Sequence, residues 1–119
     1  MVVKNYTELI VWQKAMLAAE SIYRLIAKLP KEEKFALADQ MRRCAVSIPS
    51  NIAEGQERNT SADFIRFINI AQGSRAELET QLLLCERIGY FKREDIEEPF
   101  QLLKEIGKML NTIITRLSN

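Results

Sequence analysis

Apolar residues recur at alternating steps of three and four along most of this chain, and that spacing restricts it to packed helices. In the first stretch Leu9, Trp12, Met16, Ala19, Tyr23 and Ile26 step by 3, 4, 3, 4 and 3, a seam that follows one face of an α-helix. In the second, Phe35, Leu37, Met41, Cys44, Ala45 and Ile48 keep helical spacing. The third places Phe64, Ile68, Ala71, Leu78, Leu82 and Cys85 on one face, and Ile65, Leu83 and Ile88 widen the stripe, so more than one neighbour must pack there. In the fourth, Leu103, Ile106, Leu110, Ile113 and Leu117 step by 3, 4, 3 and 4. No segment alternates with period two between hairpin turns, so no sheet is expected. Four such helices joined by short loops predict an all-α fold, an up-down antiparallel four-helix bundle.

The stop and start signals set the expected boundaries. The first helix runs from about Thr7, its N-cap, to Leu29 before Pro30, because the residue preceding proline avoids the α region. Pro30-Lys31-Glu32-Glu33 opens the second helix, with proline in the first turn and acids at the positive end of the dipole. Pro49 interrupts that helix, deleting one hydrogen bond and crowding the carbonyl of Ala45. The stretch Ser47 to Glu57 therefore reads as a kinked continuation, with the Ser47 and Ser50 hydroxyls available to freed backbone groups. Thr60-Ser61-Ala62-Asp63 caps a third helix, Ser61 to Ile88, and Gly89 closes it in the left-handed conformation. The fourth helix spans Arg93 to Leu117, with Pro99 kinking or delaying its start.

At 119 residues the chain is one domain's length, and residues 1–119 are read as a single bundle. It contains no histidine, which removes Ser-His-Asp and Cys-His triads and every zinc or di-iron site that needs imidazole. Neither a catalytic set nor a cofactor or metal site is expected. Lys and Arg number 17 against 16 acids, a net charge of +1, so any anion-binding surface must come from local clustering or oligomerisation. Met1-Val2-Val3-Lys4-Asn5 leads into a polar segment rather than a signal peptide. No apolar run reaches the ~20 residues of a membrane span, which suggests a cytoplasmic protein whose Cys44 and Cys85 stay reduced and buried.

Several residues could carry chemistry or recognition. Cys44 follows Arg42 and Arg43, whose charges could activate a thiol, but it lies on the apolar seam and reads as buried packing. Glu94, Asp95, Glu97 and Glu98 read as a solvated helix start. Trp12 reads as core or interface packing. Lys31 and Lys34 flank the first interhelix turn and, with Arg42 and Arg43, are the candidate phosphate contacts; Asp39 offers both arginines an in-helix partner. Gly73 and Glu77 share a face, and a glycine inside a helix suggests close approach of another helix. A carboxylate buried there needs a cation, with Arg42 or Arg43 the nearest by type. The expected polar network is Arg43, Ser47, Asn51, Glu54, Gly73 and Glu77, with Arg43 neutralising Glu77 or Glu54.

Four stretches together carry a resemblance: Leu9-Ile10-Val11-Trp12-Gln13-Lys14-Ala15, Arg42 through Gly55 with its Ser-Ile-Pro-Ser-Asn-Ile-Ala-Glu-Gly run, Phe64-Ile65-Arg66-Phe67, and Gly73 through Leu82. The chain resembles the bacterial four-helix-bundle family named for proteins encoded in intervening sequences of large-subunit ribosomal RNA genes. Some members are labelled ribosomal proteins, and the accessory protein of diversity-generating retroelements looks like a relative. The resemblance implies a ring-shaped homopentamer of four-helix protomers with a nucleic-acid or ribonucleoprotein role and no catalysis. The family's marked positions fall on Arg43, Ser47, Asn51, Glu54, Gly55, Gly73, Ser74, Glu77 and Glu79. Two readings follow: RNA or DNA binding through a basic patch repeated around the ring, or a scaffold for a protein partner such as an RNA-processing or reverse-transcribing enzyme.

Overall fold

A computed structural model describes residues 5–118. Four helices, α1 (Ile10–Ile26), α2 (Leu37–Gln56), α3 (Ser61–Ile88) and α4 (Arg93–Ser118), form an all-α bundle, with no strand among the described residues. It measures 45 × 24 × 20 Å. α1 packs on α2 and α4, and α3 packs on the same two, so the α1–α2 side lies opposite the α3–α4 side. Short loops between consecutive helices produce this up-down order, as the sequence predicts. Met1 to Lys4, on which the reading of the amino terminus rests, lie outside the described residues.

The helix ends follow local chemistry. The Thr60 hydroxyl accepts from the Asp63 amide at 3.2 Å, opening α3 as expected. Gly89 adopts φ 96° after α3, and the Gly89 and Tyr90 amides both donate to the Cys85 carbonyl, satisfying a carbonyl the helix leaves free. The Asp95 carboxylate accepts from the Lys92 amide at 2.8 Å, half of a capping box, so α4 starts at Arg93 with Pro99 inside it.

Four expectations are corrected. Thr7 is not the cap of α1: Asn5 Oδ1 accepts from the Thr7 amide at 2.9 Å and caps a separate 3₁₀ turn, Tyr6–Glu8. α2 does not begin at Pro30 either. Lys31–Glu33 forms its own 3₁₀ turn, and Glu33 Oε1 then accepts from the Leu37 amide at 3.4 Å where α2 opens. Phe35 falls in the connecting turn and is 85% exposed rather than core. The buried residues of α1 are Val11, Ala15, Ala18, Ile22, Leu25 and Ile26; of the expected seam only Ile26 is among them, and the rest of the buried stripe runs one residue before it. α1 carries two adjacent apolar stripes with the same spacing, and period alone does not choose between them. The stripe with two alanines allows closer approach and goes inside. Trp12 is left half-buried, Met16 and Tyr23 exposed.

The core is closed by Ile22, Met41, Ile48, Ile52, Ile68, Leu78, Leu82, Leu103, Ile106 and Leu110, all fully buried. α2 and α3 meet tightly at Gly55, where a β-carbon would stand 3.0 Å from both Phe64 and Phe67. Pro49 is buried within α2, which continues past it to Gln56.

Candidate nucleic-acid interface

The turn that separates α1 from α2 determines where the basic residues go. Because Lys31–Glu33 winds as 3₁₀ and α2 starts only at Leu37, Lys31 and Lys34 face Arg42 across the mouth of the turn. All three line one depression of about 250 Å³. Its apolar floor includes Ile26, Leu29 and Ala38. Arg42 is held from two sides. Its Nη1 donates to Asp39 Oδ1 at 3.1 Å, and its guanidinium lies 5.8 Å from the centre of the Tyr23 ring. Arg43 does not join the depression; its side chain is 79% exposed and reaches Asp39 Oδ2 at 3.1 Å. Three of the four predicted basic residues are thus gathered, and one carboxylate is shared by both arginines. Glu33 is also occupied: its Oε2 accepts from the Tyr90 hydroxyl at 2.8 Å. That bond holds the Tyr90 proton and raises its pKa.

The predicted polar network is only partly assembled. Asn51 Nδ2 donates to the Ser47 carbonyl at 2.8 Å and to the Ser47 hydroxyl at 2.9 Å, and Ser74 Oγ reaches Ser47 Oγ at 2.8 Å. These three residues bridge α2 and α3 without charge. Arg43 neutralises neither acid: it turns to Asp39, one turn back on its own helix. Glu54 is exposed and pairs with Arg58 at 3.6 Å. Glu77 is exposed and forms no ion pair among the described residues. No neighbour approaches Gly73, whose added β-carbon would meet nothing within 4 Å.

The buried carboxylate is Glu79 instead, two residues further on, 7% exposed. Arg75 Nη1 donates to Glu79 Oε2, and Lys104 Nζ of α4 reaches Glu79 Oε1 at 3.1 Å. Arg75 Nε donates to Gln72 Oε1 at 2.7 Å, while Gln72 Nε2 donates to the Gly107 carbonyl and to Asn111 Oδ1, both at 2.9 Å. The close approach expected of a helix glycine occurs here: a β-carbon on Gly107 would stand 2.7 Å from Arg75 Nε. The signal was an arginine and an acid at i,i+4 on α3 with a glycine on α4, but only the packing selects that face.

The thiols offer no nucleophile. Cys44 and Cys85 are free and buried. Burial, then the nearby Glu77, raises Cys44 to about 11, and burial followed by the charge of Glu33 does the same to Cys85. The arginines before Cys44 point to Asp39 rather than to the sulfur. Among the described residues no cluster of three or more acids and cysteines that could hold a metal ion occurs, and no helix is long and apolar enough to cross a membrane.

Residues 7–112 match the model of the family described as 23S rRNA-intervening sequence protein. The chain belongs to that family. A solved member of the S23 ribosomal protein family from Bacteroides thetaiotaomicron, described as of unknown function, superposes with a TM-score of 0.82 at 36% identity. The match covers 88% of this chain and 98% of that one. No curated protein matches the chain. The intervening-sequence resemblance read from the four motif stretches is therefore correct, and so is the bundle it implied.

Proposed function

We propose that this intervening-sequence protein is a non-catalytic, homo-oligomeric nucleic-acid-binding module, pentameric as the family resemblance implies, that holds phosphates at Lys31, Lys34 and Arg42 of each protomer, with Arg43 on the rim. The observation that carries the reading is the convergence of three cations from the turn and from α2 on one depression. The family's name, which refers to 23S rRNA, points the same way. A protomer of net charge +1 has no long-range attraction for RNA, so repetition of a local cluster must supply it. Opposed hollows support assembly. On the α1–α2 side Trp12, Met16, Val46 and Pro49 border an apolar one, and on the α3–α4 side Leu83, Ile96 and Phe100 border another beside Glu86, Arg93 and Glu97. Two different surfaces on opposite sides suit a head-to-tail ring, in which each protomer presents one and receives the other. The test is a gel shift at low salt with structured RNA, single strands and duplex, beside the mass of the free protein in solution. Retardation that is lost in Lys31→Ala/Lys34→Ala/Arg42→Ala, with a mass of several times 13.7 kDa, is expected. A monomer that retards none of them would refute the proposal.

A second reading, a scaffold for a protein partner, rests on Leu84 and Ile88, which are 45% and 51% exposed near the end of α3. It is distinguished by a pull-down with and without nuclease. A partner that survives nuclease and is lost in Leu84→Glu/Ile88→Glu favours the scaffold.

A further inference from the structure

Phe35 is the anomaly of this fold. It is a large apolar side chain on a three-residue link between a 3₁₀ turn and a helix, and it is 85% exposed, by a wide margin the most exposed large apolar residue described. It supports no packing that explains it. Lys34 Nζ sits 5.3 Å from the centre of its ring, and Lys34 also lines the depression shared with Lys31 and Arg42. The ring thus stands beside Lys34, the cation that also lines the depression with Lys31 and Arg42, and the rest of it is in solvent. Tyr23, 45% exposed, adds a second ring behind Arg42.

We infer that Phe35 is a stacking platform for an unpaired base whose backbone phosphate lies on Lys31, Lys34 and Arg42, so that the nucleic acid recognised is single-stranded or looped rather than duplex. The inference rests on the cationic reading proposed above and names its substrate class. Bases within a duplex are already stacked and present only their edges, so an exposed ring gains nothing from them. An unpaired base offers a π-face of any sequence, and a positive groove with an aromatic beside it is how single strands are held. A protein-docking aromatic would sit in an apolar surround that excludes water; the Phe35 ring is exposed and has the Lys34 ammonium beside it.

Binding of a fluorescently labelled 12-nucleotide single-stranded RNA and of the matching 12-base-pair duplex, measured by anisotropy at low salt, tests this. Phe35→Ala and Phe35→Leu should each weaken single-strand binding by roughly five- to a hundred-fold, the range for loss of one stacked base. Both should leave duplex binding unchanged, and Phe35→Trp should restore the single strand. The ring is exposed, so these variants fold, which circular dichroism verifies. If Lys31→Ala/Lys34→Ala/Arg42→Ala abolishes binding while Phe35→Ala or Phe35→Leu leaves it intact, stacking is overturned and the cationic reading stands. Equal losses on strand and duplex overturn stacking as well. A wild-type protein that binds neither probe overturns both readings and leaves the ring to a protein partner.

Discussion

Replacing Glu79 by alanine should be far more damaging than replacing Glu77, although the two acids lie two residues apart on α3. The Glu79 side chain is 9% exposed and that of its partner Arg75 is 18% exposed. Removing the carboxylate leaves the Arg75 guanidinium wedged against Gly107 with Gln72 as its remaining partner. Lys104, 51% exposed, turns into water at little cost. Stranding a buried charge of this kind costs ~3–5 kcal/mol. At a urea slope of ~2 kcal/mol/M, the unfolding midpoint falls by roughly 1.5–2.5 M. Glu77→Ala should stay within ~0.5 kcal/mol of the parent, as surface changes do. The double variant Arg75→Met/Glu79→Met should recover most of the loss, because the apolar pair leaves no charge unpaired. Urea unfolding followed by circular dichroism at one protomer concentration reads all three, the fixed concentration being needed because assembly adds stability. A Glu79→Ala midpoint within 0.5 M of the parent, on the order of 1 kcal/mol, would refute the reasoning, and so would a Glu77→Ala loss as large.

Gly107 and Gly73, two of the three helix glycines, should respond with opposite signs. Gly107→Ala forces its β-carbon onto the pinned Arg75 side chain and should cost ~1–3 kcal/mol in urea unfolding, whereas Gly73→Ala meets nothing and should gain ~0.5–1 kcal/mol from helix propensity alone. Because Cys44 and Cys85 are raised from 9.0 to about 11, the folded protein binds more protons than the unfolded chain between those values. Stability should therefore be independent of these thiols below pH 9 and fall as pH rises from 9 to 11, by up to ~3 kcal/mol per thiol. Denaturant titrations across that range should show the decline, and Cys44→Ala should flatten its share. Both thiols should also resist a thiol reagent near neutral pH until the chain unfolds.

What sequence could supply here was the periodic and the local. Thr60, Gly89 and the apolar repeats of α3 and α4 act through neighbours a few residues away, so their outcome follows from spacing. Choices between equivalent faces were not legible. α1 offers two stripes of the same period, and the alanines of one, not its hydrophobicity, took it inside. Glu77 and Glu79 are chemically alike, yet only Glu79 meets Lys104 from α4, a contact set by how two helices cross. The same holds for glycine: Gly107 and Gly55 lie at close approaches and Gly73 does not. Of the candidate interface, the residue types and the turn that carries them were readable. The exclusion of Arg43 from the depression was not, because Asp39 stands within reach of both arginines and divides itself between them.

If Lys31, Lys34 and Arg42 hold phosphates, the salt dependence of binding counts them. For a single-stranded RNA the slope of log affinity against log salt should be about −2 or steeper, since three neutralised phosphates contribute roughly −0.7 each. In Lys31→Ala/Lys34→Ala/Arg42→Ala it should collapse toward zero. Binding that ignores salt, or a variant that keeps the parental slope, would contradict the claim.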